Sequence, residues 1–340
     1  MRSTNLFLSI LISALVLNAS LFSHAEQSTN RKPLNLVVPN GKGRIIIPAP
    51  GDEVQWQGVN LYDQGTRPVF LTKNASTNLI VSYALFPNKT GSSSPGICRD
   101  DIVSAGTRSL SPSLGIADIK QVKKTDHAPI RGQQIAIGSY FVSSLAGAEV
   151  KQKNLYAVAA SPTLCAEIHI SKAPFQPTDE PLLTAQAETF TFEPDYTPSM
   201  MDYFTLGSIF YNVTKSFESA AIYYQRALDT LPSDSPLKLR RVITDQLAMS
   251  YGISGQIKQS RAVNENAILT DPDYPLYYYN LACADAEQGK APDAKLHLQQ
   301  AFDRKANTIP GEKLPDPTQD DSILKLKKNK EFWTFVQNLK

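Results

Sequence analysis

Leu247-Ala248-Met249-Ser250-Tyr251 returns as Leu281-Ala282-Cys283-Ala284-Asp285, an offset of 34 residues. The same offset links Gly255 to Gly289, Ser260 to Ala294 and Ala267 to Ala301. Agreement at one period indicates an internal repeat rather than an irregular bundle. Leu247, Ala248 and Tyr251 recur at steps of three and four, so they share one face of a helix. Small residues such as Ala220, Ala227, Ala294 and Ala301 let a second helix approach the first closely. Gly255 and Gly289 suit the left-handed cap that ends a first helix, and Pro232 and Pro272 stop the second. One such hairpin cannot bury its own apolar face, so the units must stack.

An earlier copy begins with Tyr203-x-x-Leu206-Gly207-x-x-Phe210 and continues with Ala220-x-x-x-Tyr224, Ala227 and Pro232. The pattern resembles the tetratricopeptide repeat family, which places an aromatic, Leu-Gly, Tyr, Ala, Phe, Ala and Pro at fixed steps. Three copies span residues 199–306. The departures are specific. The first copy carries an extra residue near Thr214, and the step from Ala227 to Ala267 is 40 residues, which assigns an insertion to 233–238. Asp285 stands where the family prefers Tyr, and Ala306 replaces the closing Pro. The resemblance implies a concave groove lined by the first helix of each copy. Carried over by position, it would be Thr205, Ser208 and Asn212, then Asp245, Gln246 and Met249, then Tyr279, Asn280, Cys283 and Glu287. Some relatives clamp a terminal carboxylate there with Lys, Arg and Asn. Only Asn280 matches, so carboxylate clamping is disfavoured. Successive helical residues fan out by ~100°, so Tyr277, Tyr278 and Tyr279 are not all expected to face a core, and Tyr279 is the expected exposed aromatic contact.

Residues 307–340 follow as a Pro- and Gly-rich connection and a tail in which Ile323, Leu324, Leu326, Phe332, Trp333, Phe335, Val336 and Leu339 recur at helical spacing. A solenoid needs an end piece with one polar face, so these are expected to be capping helices on the third repeat.

The beginning of the chain sets the expected compartment. Arg2, the apolar stretch 6–17 and the small residues flanking His24 in Ser23-His24-Ala25 read as a secretory signal, residues 1–25, cleaved near Ala25. A linker, 26–34, leads into the first domain. No later stretch is apolar for long enough to cross a bilayer, so no stable membrane insertion is expected after cleavage. The 34 basic and 32 acidic residues nearly balance, without a basic patch dense enough for nucleic acid. Export permits oxidation, and Cys98 and Cys165 share the N-terminal half while Cys283 stands in the repeats, so a Cys98–Cys165 bridge is expected.

Residues 35–195 read as an α+β domain with a largely antiparallel sheet. β-rich runs lie at 44–47, 69–72, 78–86, 138–143, 153–160 and 165–170, with helices at 97–110 and 179–188. Cys165, Glu167 and His169 alternate along one strand and leave it on the same face. Three adjacent donors suggest a metal, but i and i+2 side chains start ~7 Å apart, too far to converge easily on one zinc at ~2 Å. A solvated strand face with one disulfide is the expectation. No phosphate loop, nucleophile elbow, zinc-protease pair or dinucleotide fingerprint is present.

The fold class is therefore an α+β domain followed by an all-α helical solenoid with capping helices. The function expected is a non-catalytic exported scaffold, without cofactor or metal, that binds an envelope or secreted protein or peptide in its groove. A second copy of the chain is the other candidate occupant. The alternatives are a metal-dependent hydrolase centred on Glu167 and His169, or a small-ligand domain that the repeats buttress.

Overall fold

The computed structural model describes residues 33–48, 54–62, 67–74, 76–110, 119–145 and 148–339. The signal at 1–25 and most of the linker lie outside them. The chain divides into two compact units between Pro198 and Ser199.

In the first unit the strands are β1 Leu34–Val37, β2 Arg44–Ile47, β3 Val54–Tyr62, β4 Arg67–Asn74 and β5 Leu79–Pro87, followed by α1 Pro95–Leu110. Next come β6 Ile119–Ile130, β7 Gln133–Leu145, β8 Ala148–Ala160, β9 Leu164–Lys172, α2 Glu180–Ala187 and β10 Phe192–Glu193. Seven strands form an antiparallel sheet in the order β3-β4-β5-β9-β8-β7-β6, and β1, β2 and β10 form a second, smaller one. The central strands β8 and β9 are buried on both faces. In β9, Ala166, Ile168 and Ile170 point to the side where Tyr83 pairs with Ile168 and accepts a hydrogen bond from Gln186 of α2. Cys165, Glu167 and His169 point to the opposite side, which α1 covers over β7 and β8.

The bridge from Cys98 on α1 to Cys165 on β9 is formed, with Cα atoms 6.0 Å apart. Ile102, Val103, Tyr140, Val142 and Val158 pack around it. Closer to β6, Gly138 lets α1 lie directly on β7. A Cβ at Gly138 would stand 2.5 Å from Val103 Cγ2 and 3.2 Å from Arg99 Cγ. Gly138→Ala is expected to destabilise this domain by about 1–3 kcal/mol through overpacking, read as a lower urea midpoint. An unchanged midpoint would mean that α1 can lift without cost.

The second unit is entirely helical. Its helices are α3 Met200–Asn212, α4 Phe217–Asp229, α5 Leu237–Ile253, α6 Ile257–Thr270, α7 Pro275–Glu287 and α8 Ala291–Asp303, with α9 Asp321–Leu324 and α10 Lys330–Asn338 at the end. Each helix packs on the next from α3 to α8, and α5 also touches α7. The three hairpins thus stack as a solenoid. Gly255 and Gly289 take φ of 79° and 73° after their first helices. The first hairpin has Lys215 at φ 55° instead, one residue further from its helix end, which is where the extra residue of that copy goes. The insertion at 233–238 is absorbed partly as helix, since α5 has 17 residues where α3 and α7 have 13. Ser199 caps α3 by accepting from the Asp202 amide, and the Asp202 carboxylate accepts in turn from the Ser199 amide.

Tyr277, Tyr278 and Tyr279 are all buried, at 1%, 6% and 2% exposure. The expectation that one ring would face solvent fails because α7 is enclosed by α5, α6, α8 and α9. The end piece caps the array in two places: α10 packs on α8 through Phe332 and Val336, and α9 packs on α7 through Ile323.

Candidate binding groove

α5 and α7 lie side by side and are joined by a polar bridge: Asn280 Nδ2 donates to Asp245 Oδ1 at 2.8 Å. Asp245 is 7% exposed. Burial pushes its carboxyl up to about 7; the Asn280 bond opposes this and the charge of Glu312 adds to it. Asp245 and Asn280 line a cavity of about 640 Å³. Met249, Tyr279, Cys283 and Glu287 line it too, so six of the ten groove positions converge there. The apolar part of the wall comes from Ala248, Ile253, Ile257, Leu276 and Ala284.

The remaining four positions stand elsewhere. Ser208 Oγ accepts from Tyr224 Oη at 3.2 Å, and Gln246 Oε1 lies 3.5 Å from the same hydroxyl. Both therefore tie α4 to its neighbours. Thr205 is half-buried on α3, and Asn212 is exposed at its end.

The third wall is the chain's own tail. Residues 309–325 run along α7 in the same direction as the helix. Tyr274 donates to Glu312 at 2.8 Å, Tyr279 to Asp320 at 3.4 Å, and Ser322 to Glu287 at 2.8 Å. Lys325 pairs with Glu287. Cys283 Sγ lies 3.7 Å from both oxygens of Asp320, and burial followed by that negative charge pushes its thiol well above the ordinary range. Cys283 is thus a poor nucleophile in this state. The second hairpin, the third hairpin and the tail together line the cavity.

Lys313, Pro315, Asp320, Asp321, Ser322 and Lys325 also line the cavity, and the repeat pattern did not point to them. The apolar spacing of the tail marked it as a cap but not the helix it would follow. Its one legible polar signal was Asp320 ahead of Ser322 and Ile323, whose amides it accepts.

The Asp245 carboxyl gives a testable pH dependence. Its folded value of about 7 lies above its ordinary 3.8. Between those values the unfolded chain loses a proton that the folded chain keeps, so stability falls as pH rises through this window. Above pH 7 the loss is complete, and below pH 4 there is none. Asp245→Asn keeps the acceptor for Asn280 and removes the charge. It is expected to stabilise the protein by up to ~4 kcal/mol at pH 8, with the gain fading to nothing by pH 4. Melting curves at pH 4, 6 and 8 measure this; a gain independent of pH would refute the ionisation.

Beneath the groove, the departure at Asp285 has a structural counterpart. Asp285 is fully buried, pairs with Arg261 of α6, and contacts His297 Nδ1 of α8 at 2.6 Å. An ionic link replaces the aromatic packing expected at this position.

In the first unit, the strand face carrying Glu167 and His169 is not solvated, contrary to expectation. Glu167 is 6% exposed. His169 stacks on Tyr156 with ring centroids 4.2 Å apart, and its Nε2 lies 3.0 Å from Asn154 Oδ1. Burial pushes the imidazole down to about 4, so it is neutral at pH 7. Tyr156 in turn meets Tyr140, hydroxyl to hydroxyl, at 3.2 Å. The face is buried because α1 lies over the adjoining strands. Among the described residues no group of three His, Cys, Asp or Glu side chains is placed to hold a metal ion, and Cys165 is spent in the disulfide.

No family model matches this chain. No curated protein matches it either. Among solved structures it is similar to a crystal structure of a protein from Bacteroides thetaiotaomicron, at 9% identity, over 62% of this chain and 77% of that one. The TM-score is 0.28, too low to support any statement of fold or function.

Proposed function

We propose that the protein is an exported, non-catalytic interaction scaffold whose helical array, of tetratricopeptide type, holds a segment of another envelope or secreted protein. The observation that carries this reading is the convergence of Asp245, Met249, Asn280, Tyr279, Cys283 and Glu287 on one open cavity between α5 and α7. Those positions were carried over from the resemblance to the tetratricopeptide repeat family. The 34-residue period and the left-handed turns at Gly255 and Gly289 support the family assignment. The buried Cys98–Cys165 bridge supports an oxidising compartment, in line with the signal-like residues 1–25. Among the described residues no helix is long and apolar enough to cross a membrane.

Ile253 is 52% exposed at the end of α5 and lines the cavity beside Met249. Substituting both, Met249→Lys with Ile253→Asp, changes the groove wall and gives up the weak bond that Met249 Sδ accepts from the Tyr211 hydroxyl of α3 at 3.8 Å. Affinity purification from the native producer is expected to lose its main partner in this variant while the melting temperature holds. Retention of the same partner at the same yield would reject the groove as the binding surface.

A further inference from the structure

The side-chain carboxyl and amide oxygens at the base of the cavity offer acceptors. Asp245 Oδ1 takes the Asn280 amide, while its Oδ2 makes no hydrogen bond with a described residue. The Nδ2 of Asn280 faces Asp245, which leaves the Asn280 oxygen as a further acceptor in the wall. Asp320 adds a third acidic or amide group, its Oδ1 bonded to the Ser322 and Ile323 amides and its Oδ2 to Tyr279. Neither Asp245 nor Asp320 has a cation against it among the described residues. The two lysines in the lining do not supply one: Lys325 is paired with Glu287, and Lys313 is exposed. Met249, Leu276, Ala248 and Ile253 surround these acceptors with aliphatic surface.

A group that fits must donate only, carry positive charge, and present an aliphatic stem. Lysine and arginine side chains combine these properties. We propose that the cavity holds a lysine or arginine side chain of the bound polypeptide, its stem against Met249 and Leu276 and its charged end on Asp245 and Asp320. This rests on the groove reading and names the chemistry that the groove selects. The elevated carboxyl of Asp245 agrees with it, since a buried acid without a counter-ion is held towards its neutral form.

Titration calorimetry of the purified full chain at pH 8 tests the proposal, with acetyl-Ala-Leu-Arg-Leu-Ala-amide as probe. The companion peptides replace the central residue by lysine, citrulline or glutamate. Citrulline keeps the shape of arginine and removes its charge. The arginine and lysine peptides are expected to bind on the order of tenfold more tightly than the citrulline peptide, because the bonds they make are charge-assisted. Asp245→Asn should erase that preference. Met249→Lys, which brings a resident ammonium to the site, should abolish binding of the basic peptides. Equal binding of the citrulline peptide, stronger binding of the glutamate peptide, a preference that survives Asp245→Asn, or no binding of any peptide would each overturn the proposal. A natural partner that crosslinks at Met249 while the peptides show no basic preference would leave the groove standing and remove only its selectivity. Absence of any crosslink there would remove both.

Discussion

Replacing Cys98 and Cys165 together by alanine is expected to lower the stability of the N-terminal domain by about 4 kcal/mol. The bridge spans 67 residues of sequence, and closing a loop of that length removes this much chain entropy from the unfolded state. Packing adds to the effect. Cys98 and Cys165 are 2% and 4% exposed among Ile102, Val103, Tyr140 and Val158, so the loss of two sulfurs also thins a buried cluster that fixes α1 to the sheet. Urea unfolding followed by the near-ultraviolet signal of the buried tyrosines measures the loss. Reducing the native protein should give a similar shift without any substitution. A drop below 1 kcal/mol in both cases would mean that α1 is held by its apolar contacts alone.

The second large effect is expected at Asp285. Its carboxylate is fully buried and is shared by Arg261 and His297, so three helices meet at one charge. Arg261 retains only Glu265, at 3.1 Å, once Asp285 is gone, and its Nε already lacks a hydrogen-bond partner. Removing one member of a buried ion pair costs about 3–5 kcal/mol, because the remaining charge stays desolvated. The lower figure applies here, since the Arg261 side chain is 22% exposed and can turn towards Glu265 and water. Asp285→Ala should therefore shift the unfolding of the helical array by about 3 kcal/mol. Asp285→Tyr restores the residue type that the repeat family favours, and should also fail unless Arg261 is replaced with it. If Asp285→Ala unfolds at the native midpoint, the link is not what joins α6, α7 and α8.

The helical half was legible because its signals are local. The period of 34, the small residues at helix crossings and the glycines after each first helix all follow from one chain segment at a time. Of the groove positions carried over to α5 and α7, Asp245, Met249, Tyr279, Asn280, Cys283 and Glu287 line one cavity, while Gln246 does not. Tyr279 was misread because helical periodicity describes one helix and not how many neighbours surround it: α7 meets α5, α6, α8 and the tail. The path of the tail was illegible for a related reason. Asp320, Ser322 and Lys325 bond to side chains on α7 that lie 35 or more residues away, and nothing in their spacing names those partners.

The β-rich half was legible in its middle and not at its edges. The six runs expected there correspond to β2, β4, β5, β7, β8 and β9. β1, β3, β6 and β10 were missed, and each is an edge strand of its sheet. β6 reads Ile-Lys-Gln-Val-Lys-Lys across 119–124 and includes Pro129, the charged, proline-bearing composition by which an edge strand avoids pairing with another chain. Such a strand lacks the clean alternation by which strands are recognised. The Glu167 and His169 face was misjudged because alternation says which residues share a side, and not that α1 would lie over that side.

The most direct measurement is site-specific photocrosslinking in the native producer. A photoreactive amino acid replaces Met249 on the cavity wall, and in a control replaces Gln259, exposed on α6. One envelope or secreted protein captured at position 249 and absent at 259, with its attachment mapped next to a lysine or arginine, is the result expected. Capture of the same proteins at both positions, or of nothing at 249, would contradict the scaffold reading.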